Sequence, residues 1–297
     1  MSPVRRDTPA GRAYLDLQRL ARRSGRPTQE LLVLYVLERF LFRLANSGFR
    51  ERLVLKGGLL LAALDRRRPT ADVDLLARAV ANGLDVVADI VRAILAAEVD
   101  DGVVYEPDRL TAAVIRDAEL YSGVRLAVPA RLDRAHAVLR VDVNVGDPVT
   151  PAPVEVTYPG LLEGSFNVLG YPLATVLAEK VVTMIDRGLA TTRERDFADV
   201  VLLSRRHQID ASELLAALRA TAAHRRSNLS PLTGLLDALG PARQTSWSAF
   251  VARTGLGDLL PADYSTAIEE VERFIDPILS ETIDSGTWDP LVRSWTP

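Results

Sequence analysis

Two aspartates one residue apart, in Ala71-Asp72-Val73-Asp74-Leu75-Leu76, are the residues whose type and spacing point most directly to chemistry. On an extended strand, residues two apart project from one face, roughly 7 Å apart along the backbone. Carboxylates placed that way repel unless a cation sits between them. They can hold two divalent ions ~3.5–4 Å apart, which clamp the attacking and leaving oxygens of an in-line phosphoryl displacement. A third carboxylate on a neighbouring strand completes such a site, and Asp142 in Leu139-Arg140-Val141-Asp142-Val143 is placed to supply it. Alone, Asp-x-Asp is also a common solvated strand edge, so its company decides the reading.

That company begins fourteen residues upstream of Asp72, at Gly58. Lys56-Gly57-Gly58 lies between the apolar runs Leu53–Leu55 and Leu59–Leu64. A strand, a tight glycine turn and a helix are expected there, and two glycines let the backbone approach a phosphate closely. Of 36 basic residues only Lys56 and Lys180 are lysines, the compact cation suited to a phosphate. Lys180 lies in Glu179-Lys180, beside an apolar stripe of Leu173, Val176, Leu177, Val181, Met184 and Ile185. It could snorkel harmlessly from that stripe or reach a triphosphate. Further on, Thr191-Thr192-Arg193-Glu194 reads as a capping box opening a helix with Arg195-Asp196-Phe197-Ala198-Asp199. Arg195 and Asp199 have the spacing of a surface ion pair. Asp196, on another azimuth, could orient Lys180 or contact a nucleotide.

Composition narrows the chemistry. There is no cysteine, which excludes disulfides, thiolate catalysis and cysteine zinc sites. Three scattered histidines (His136, His207, His224) argue against an imidazole metal or triad site, leaving carboxylate oxygens that suit Mg²⁺ or Mn²⁺. Apolar runs fall far short of the ~20 residues a bilayer needs, and Met1-Ser2-Pro3-Val4-Arg5-Arg6 lacks a signal-peptide core, so no membrane partner and a cytoplasmic location are expected. Net charge is −3, yet seven Arg face only Asp7 and Asp16 between Arg5 and Arg26. That patch is either a phosphate-attracting surface or a solvated helix face.

Helical periodicity covers residues 10–45 and 84–98. Strand-like runs occur at Val103–Tyr105, Ala112–Ile115, Val124–Val128 and Ala137–Val145, the last with Val141, Val143 and Val145 alternating against Asp142 and Asn144. Residues 146–172, rich in Pro and Gly, read as an inter-lobe connection, and the chain beyond 172 reads as almost entirely helical. The expected fold is α+β, with one lobe over residues 1–165 and a mainly helical lobe over 166–297.

Taken in order, these motifs resemble the AbiEii/AbiGii family of nucleotidyltransferase toxins, type IV toxin–antitoxin proteins that include MenT-like toxins. The resemblance runs through Leu55-Lys56-Gly57-Gly58, Arg68-x-Thr70-x-Asp72-x-Asp74, Val141-Asp142-Val143 with Gly146-Asp147, Leu177-Ala178-Glu179-Lys180 and Arg195-Asp196-x-x-Asp199. It spans roughly residues 50–205. It implies a polymerase-β-like nucleotidyltransferase lobe joined to the helical lobe, with an NTP as substrate and Mg²⁺ as cofactor. It implies a cognate antitoxin encoded alongside, and a tRNA 3′ end as acceptor, so that translation is blocked. By position it gives Asp72 and Asp74 to metal, Lys180 to the triphosphate, and Lys56, Gly57 and Gly58 to phosphate. Asp196 and Asp199 would support the nucleotide site. Common nucleotidyltransferases carry Gly-Ser where this chain has Gly57-Gly58, so a serine contact to phosphate is missing.

The mechanism these residues suggest is attack of an acceptor hydroxyl on the α-phosphate with pyrophosphate leaving. Asp142 would act as base or third metal ligand, and Lys180 would offset triphosphate charge. Two alternatives stand beside it: transfer to a protein hydroxyl or small molecule, and a decayed NTP-binding module.

Overall fold

A computed structural model describes residues 4–64, 69–80, 83–116, 122–162 and 164–296. Arg68, part of the sequence motif, and its neighbours Arg66 and Arg67 lie outside the described residues, as do Met1, Ser2 and Pro3. The chain divides into two units, one comprising Met1–Gly146 with Val154–Gly170 and the other Asp147–Pro153 with Tyr171–Pro297.

In the first unit, helix α1 (Pro9–Ser24) starts where Thr8 caps the Gly11 N–H and Pro9 presets the first turn, and it stops at left-handed Gly25. Helix α2 (Thr28–Ala45) is buried along most of its length, with Leu34, Leu37, Phe40, Leu41 and Leu44 almost fully enclosed. Strand β1 (Leu53–Lys56) runs straight into α3 (Gly57–Leu64), followed by β2 (Val73–Ala77), α4 (Leu84–Leu95) and β3 (Val103–Tyr105). Strands β4 (Thr111–Arg116), β5 (Ser122–Leu132) and β6 (Ala135–Val145) complete one side of the sheet, and β7 (Val154–Pro159) and β8 (Ser165–Gly170) the other.

The sheet order is β3-β5-β6-β2-β1-β8-β7, with β4 also pairing β5. It is mixed: β2–β6 and β1–β8 are parallel, the other pairs antiparallel. One face is apolar. Leu55, Val73, Leu75, Leu126, Leu139, Val141 and Val143 are at most slightly exposed, and α2 packs along β6 and β8. Burying that face orders the strands; of the alternate residues, Val54 and Leu76 are buried too, while Lys56, Asp74 and Asp142 bring charge to the other face.

The segment 146–172 is more than a connection. It contains β7 and β8, a hairpin with Tyr158 and Val168 buried, joined to β1 through Leu55 and Gly170. Its Pro and Gly residues bracket the strands: Pro153 precedes β7, Pro159 ends it, and Gly160 and Gly164 shape the turn, where the Gly160 N–H donates to the Gly164 carbonyl. An edge strand such as β7 tolerates a terminal proline because that position need not donate to a ladder.

The second unit is mainly helical, with α5 (Leu173–Arg187), α6 (Glu194–Ser204), α7 (Ala211–Arg225), α8 (Leu239–Thr254) and α9 (Tyr264–Leu279). It also holds a small sheet of β9 (Ile209–Asp210), β10 (Thr287–Asp289) and β11 (Ser294–Thr296), which the helical reading missed because its strands are only two or three residues long. The tryptophans are packing residues: Trp247 stacks on Tyr264, and Trp288 and Trp295 enclose Phe274. The architecture is α+β, as expected, a polymerase-β-like sheet unit and a helical unit.

The capping box at Thr191 does not form. Helix α6 begins at Glu194 with Arg193 at its N-cap and no side-chain cap. Thr191 instead ends a short 3-10 turn (Gly188–Ala190), and Glu194 accepts two hydrogen bonds from Arg243. A tertiary ion pair has displaced the local motif.

Candidate active site

Strand pairing lines up four charged residues. Lys56 is opposite Asp74, Asp74 opposite Asp142, and Asp142 opposite Arg125, across β1, β2, β6 and β5. Registered partners share a face, so the row reads cation, carboxylate, carboxylate, cation on the side of the sheet away from the apolar core. Asp72, one step before β2, joins it: Asp72, Asp74 and Asp142 each offer an oxygen within 4.8 Å of the others. The expected third carboxylate is therefore beside the Asp-x-Asp pair.

Gly57 sets how closely this cluster meets the turn. Its φ of +66° lies in the left-handed region. A Cβ there would also stand 1.9 Å from Asp74 Oδ2, so glycine is required on two grounds. The Gly58 N–H donates to the Asp74 carboxylate. Thr70 Oγ1 donates to Asp72 Oδ1 at 3.2 Å. Arg125 holds both oxygens of Asp142, Nε to Oδ1 at 2.8 Å and Nη2 to Oδ2 at 2.6 Å.

Three carboxylates thus face two cations. At 4.8 Å each carboxylate pair repels by roughly 3 kcal/mol at an effective dielectric of about 20. Asp74 registers this: burial first, then repulsion from Asp72 and Asp142, outweighs Lys56 and the Gly58 N–H and pushes its carboxyl up to about 6. The Arg125 guanidinium is held still more firmly protonated, chiefly by its hydrogen bonds and attraction to Asp142. Compact, oxygen-only and short of positive charge, the cluster fits a hard divalent cation such as Mg²⁺ or Mn²⁺.

The second unit builds a different cluster. Lys180 on α5 donates to Asp199 Oδ2 at 2.6 Å and Asp196 Oδ1 at 3.1 Å, both on α6. Arg193 Nε lies 2.7 Å from Asp196 Oδ2. Burial works against the Asp196 charge, but Lys180, Arg193 and Arg195 prevail and hold its carboxyl below the usual range. Asp199 pairs with Lys180, not with Arg195 as helical spacing suggests, because Asp199 is buried and Arg195 exposed. Asp147 lies 3.8 Å from His224 in the same unit.

Arg125 is the residue that sequence reasoning missed. A signal existed: Asp133 and Arg134 form a two-residue turn between alternating runs, and Arg125 and Asp142 are equidistant from it. The same face continues down the β5–β6 hairpin. Arg140, Arg131 and His136 are exposed there, with Ala127, Pro129 and Val138 between them.

Carboxylates clustered on the open face of a mixed sheet, beside a strand–glycine–helix turn, define the nucleotidyltransferase class. The comparisons agree. The family described as nucleotidyl transferase AbiEii toxin, type IV toxin–antitoxin system, matches residues 39–276, and the chain belongs to it. Among solved structures it is similar to JHP933 from Helicobacter pylori (14% identity, TM-score 0.50, covering 86% of this chain and 94% of that one). It is also similar to a candidate nucleotidyltransferase from H. pylori (15% identity, TM-score 0.50, 86% and 98% covered). Those identities speak for the fold alone. No curated protein matches the chain. No described helix is long and apolar enough to cross a membrane.

Proposed function

We propose that this toxin-family enzyme transfers a nucleoside monophosphate from an NTP to the 3′ end of a tRNA in the cytoplasm, with Mg²⁺ (or Mn²⁺) at Asp72, Asp74 and Asp142, until its cognate antitoxin restrains it. The observation that carries this reading is the surplus of negative charge at the carboxylate cluster, together with what lies along the same face. Divalent cations bound there would polarise the α-phosphate and make the entering hydroxyl easier to deprotonate. Asp142, turned towards Asp74 by Arg125, is placed to take the proton of that hydroxyl or to ligate metal. Lys56 offers a cation to phosphate and the Gly57-Gly58 turn lets the backbone come close to it, pyrophosphate being the leaving group. Lys180, steadied by Asp196 and Asp199, is assigned to the triphosphate on the order of the family motifs.

A nucleic-acid acceptor is favoured by the hairpin. From Asp142 to His136 the strand runs about 20 Å. Over that length Arg140, Arg131 and His136 stand exposed on the carboxylate face. Neither Arg131 nor Arg140 has an ion pair among the described residues. Such a strip suits a phosphodiester backbone. The arginines of the N-terminal segment are less available, since Arg5, Arg6, Arg19 and Arg26 pair with Asp7, Asp16 and Glu30. Arg225 is turned onto Thr183.

The test is incubation with total RNA and each α-labelled NTP in turn. Label should enter a tRNA-sized band and be lost in Asp72→Ala. Label on protein alone would replace the tRNA reading with protein modification, and failure to bind any NTP with Mg²⁺ would leave only a decayed module.

A further inference from the structure

Arg125 is a costly neighbour for a metal site. It is joined to Asp142 by two hydrogen bonds, 2.8 and 2.6 Å, that engage both carboxylate oxygens. Asp142 is itself buried, with 11% of its side chain exposed, while Arg125 remains 55% exposed. A buried carboxylate needs a partner, but a partner that occupies both oxygens of a metal ligand opposes the metal. Asp72 and Asp74 add their attraction to the same guanidinium.

We propose that Arg125 is a positioning residue that acts as an internal counter-ion: it holds Asp142 by both oxygens in the row beside Asp74, and competes with the divalent cation for it. The inference rests on the nucleotidyltransferase reading of the carboxylate cluster and adds a restraint to it. With Arg125 and Lys56 in place, the three carboxylates carry a net surplus of one negative charge, so the cluster tolerates the absence of metal and binds it only moderately. Removing the guanidinium doubles that surplus in favour of metal, and its two hydrogen bonds then no longer need to be broken. Exposure lets Arg125 swing away into water when a cation arrives, at low cost in stability.

The experiment is Mn²⁺ binding without NTP, read from the free-ion electron paramagnetic resonance signal at pH 8 and low salt. Arg125→Gln is expected to bind Mn²⁺ about 10-fold more tightly than the natural chain. Arg125→Lys, which keeps the charge but not the two-point hold, is expected to fall between them. In an Asp142→Asn background, Arg125→Gln should change affinity little, since the effect passes through Asp142. Equal or weaker binding by Arg125→Gln, or an undiminished gain in the Asp142→Asn background, would overturn the proposal while leaving the metal site standing. No Mn²⁺ binding by the natural chain, with transfer activity absent as well, would overturn the parent reading and this one together.

Discussion

The two charged clusters use the same side chains to opposite ends. On the sheet, Asp74 is crowded by Asp72 and Asp142 and its carboxyl rises to about 6. Between α5 and α6, Asp196 is buried too, yet Lys180, Arg193 and Arg195 hold its carboxyl low. One cluster lacks positive charge and the other supplies its own. Burial alone therefore does not mark a reactive carboxylate; what distinguishes the sheet cluster is that its repulsion is left for something else to relieve. The Lys180 cluster is also an internal tie between two helices.

The sharpest way to break this contrast is to remove a sheet carboxylate. Asp72→Ala should lower label transfer by about 10³-fold or more with little change in the unfolding midpoint; substantial residual transfer would move the chemistry elsewhere. In the helical cluster the order reverses. Lys180→Ala takes the shared cation from two buried carboxylates, Asp196 keeping Arg193, and should cost about 3–5 kcal/mol in urea unfolding, so its loss of activity must be read beside a stability measurement. A Lys180→Ala protein as stable as the natural chain would show that the cluster is not the tie described.

A smaller effect follows from pH. The stability linked to Asp74 is fully present below its ordinary 3.8, declines as pH rises and is gone above about 6. Roughly 2–3 kcal/mol is involved. Without metal, Asp74→Asn should flatten this decline, and added Mn²⁺ at pH 8 should restore stability to the natural chain. The link through Asp196 has the other sign: present above the ordinary carboxylate range, it is lost as pH falls through the lowered value. Thermal unfolding from pH 3 to 8, with and without Asp74→Asn, checks both. The smallest effect on folding is expected from Arg131→Ala with Arg140→Ala, within about 0.5 kcal/mol. The same pair should reduce the salt slope of RNA binding by about 1.4–1.8, measured by fluorescence anisotropy; an unchanged slope would detach the hairpin from the acceptor.

Much of the sheet cluster could be read from the chain. Asp74 and Asp142 sit in strands whose alternation is visible locally, with Asp72 one step before the first of them, and Gly57-Gly58 announces its turn. Arg125 could not be read from its own neighbourhood, because its partner is seventeen residues away and known only from the hairpin register. Strands β7 and β8 were hidden among prolines that delimit them rather than break them. Helix α6 misled in the other direction: Thr191 and Glu194 have the spacing of a cap, but Arg243, forty-nine residues on, claims the glutamate. Local pattern served wherever local geometry was the cause. It failed where a distant residue set the outcome.

The tip at Asp133-Arg134 has a consequence for variation. Those two residues can change identity so long as Asp133 keeps its positive φ, which Asn or Gly would also adopt. Their number cannot change freely. Were the strands to slip by one place, Arg125 would turn inward among leucines and Leu126 outward to the solvent, and the aspartate at 142 would lose its companion without any substitution near it. Tolerance to insertions at this tip is therefore a ruler for how tightly the enzyme's centre depends on a loop remote from it.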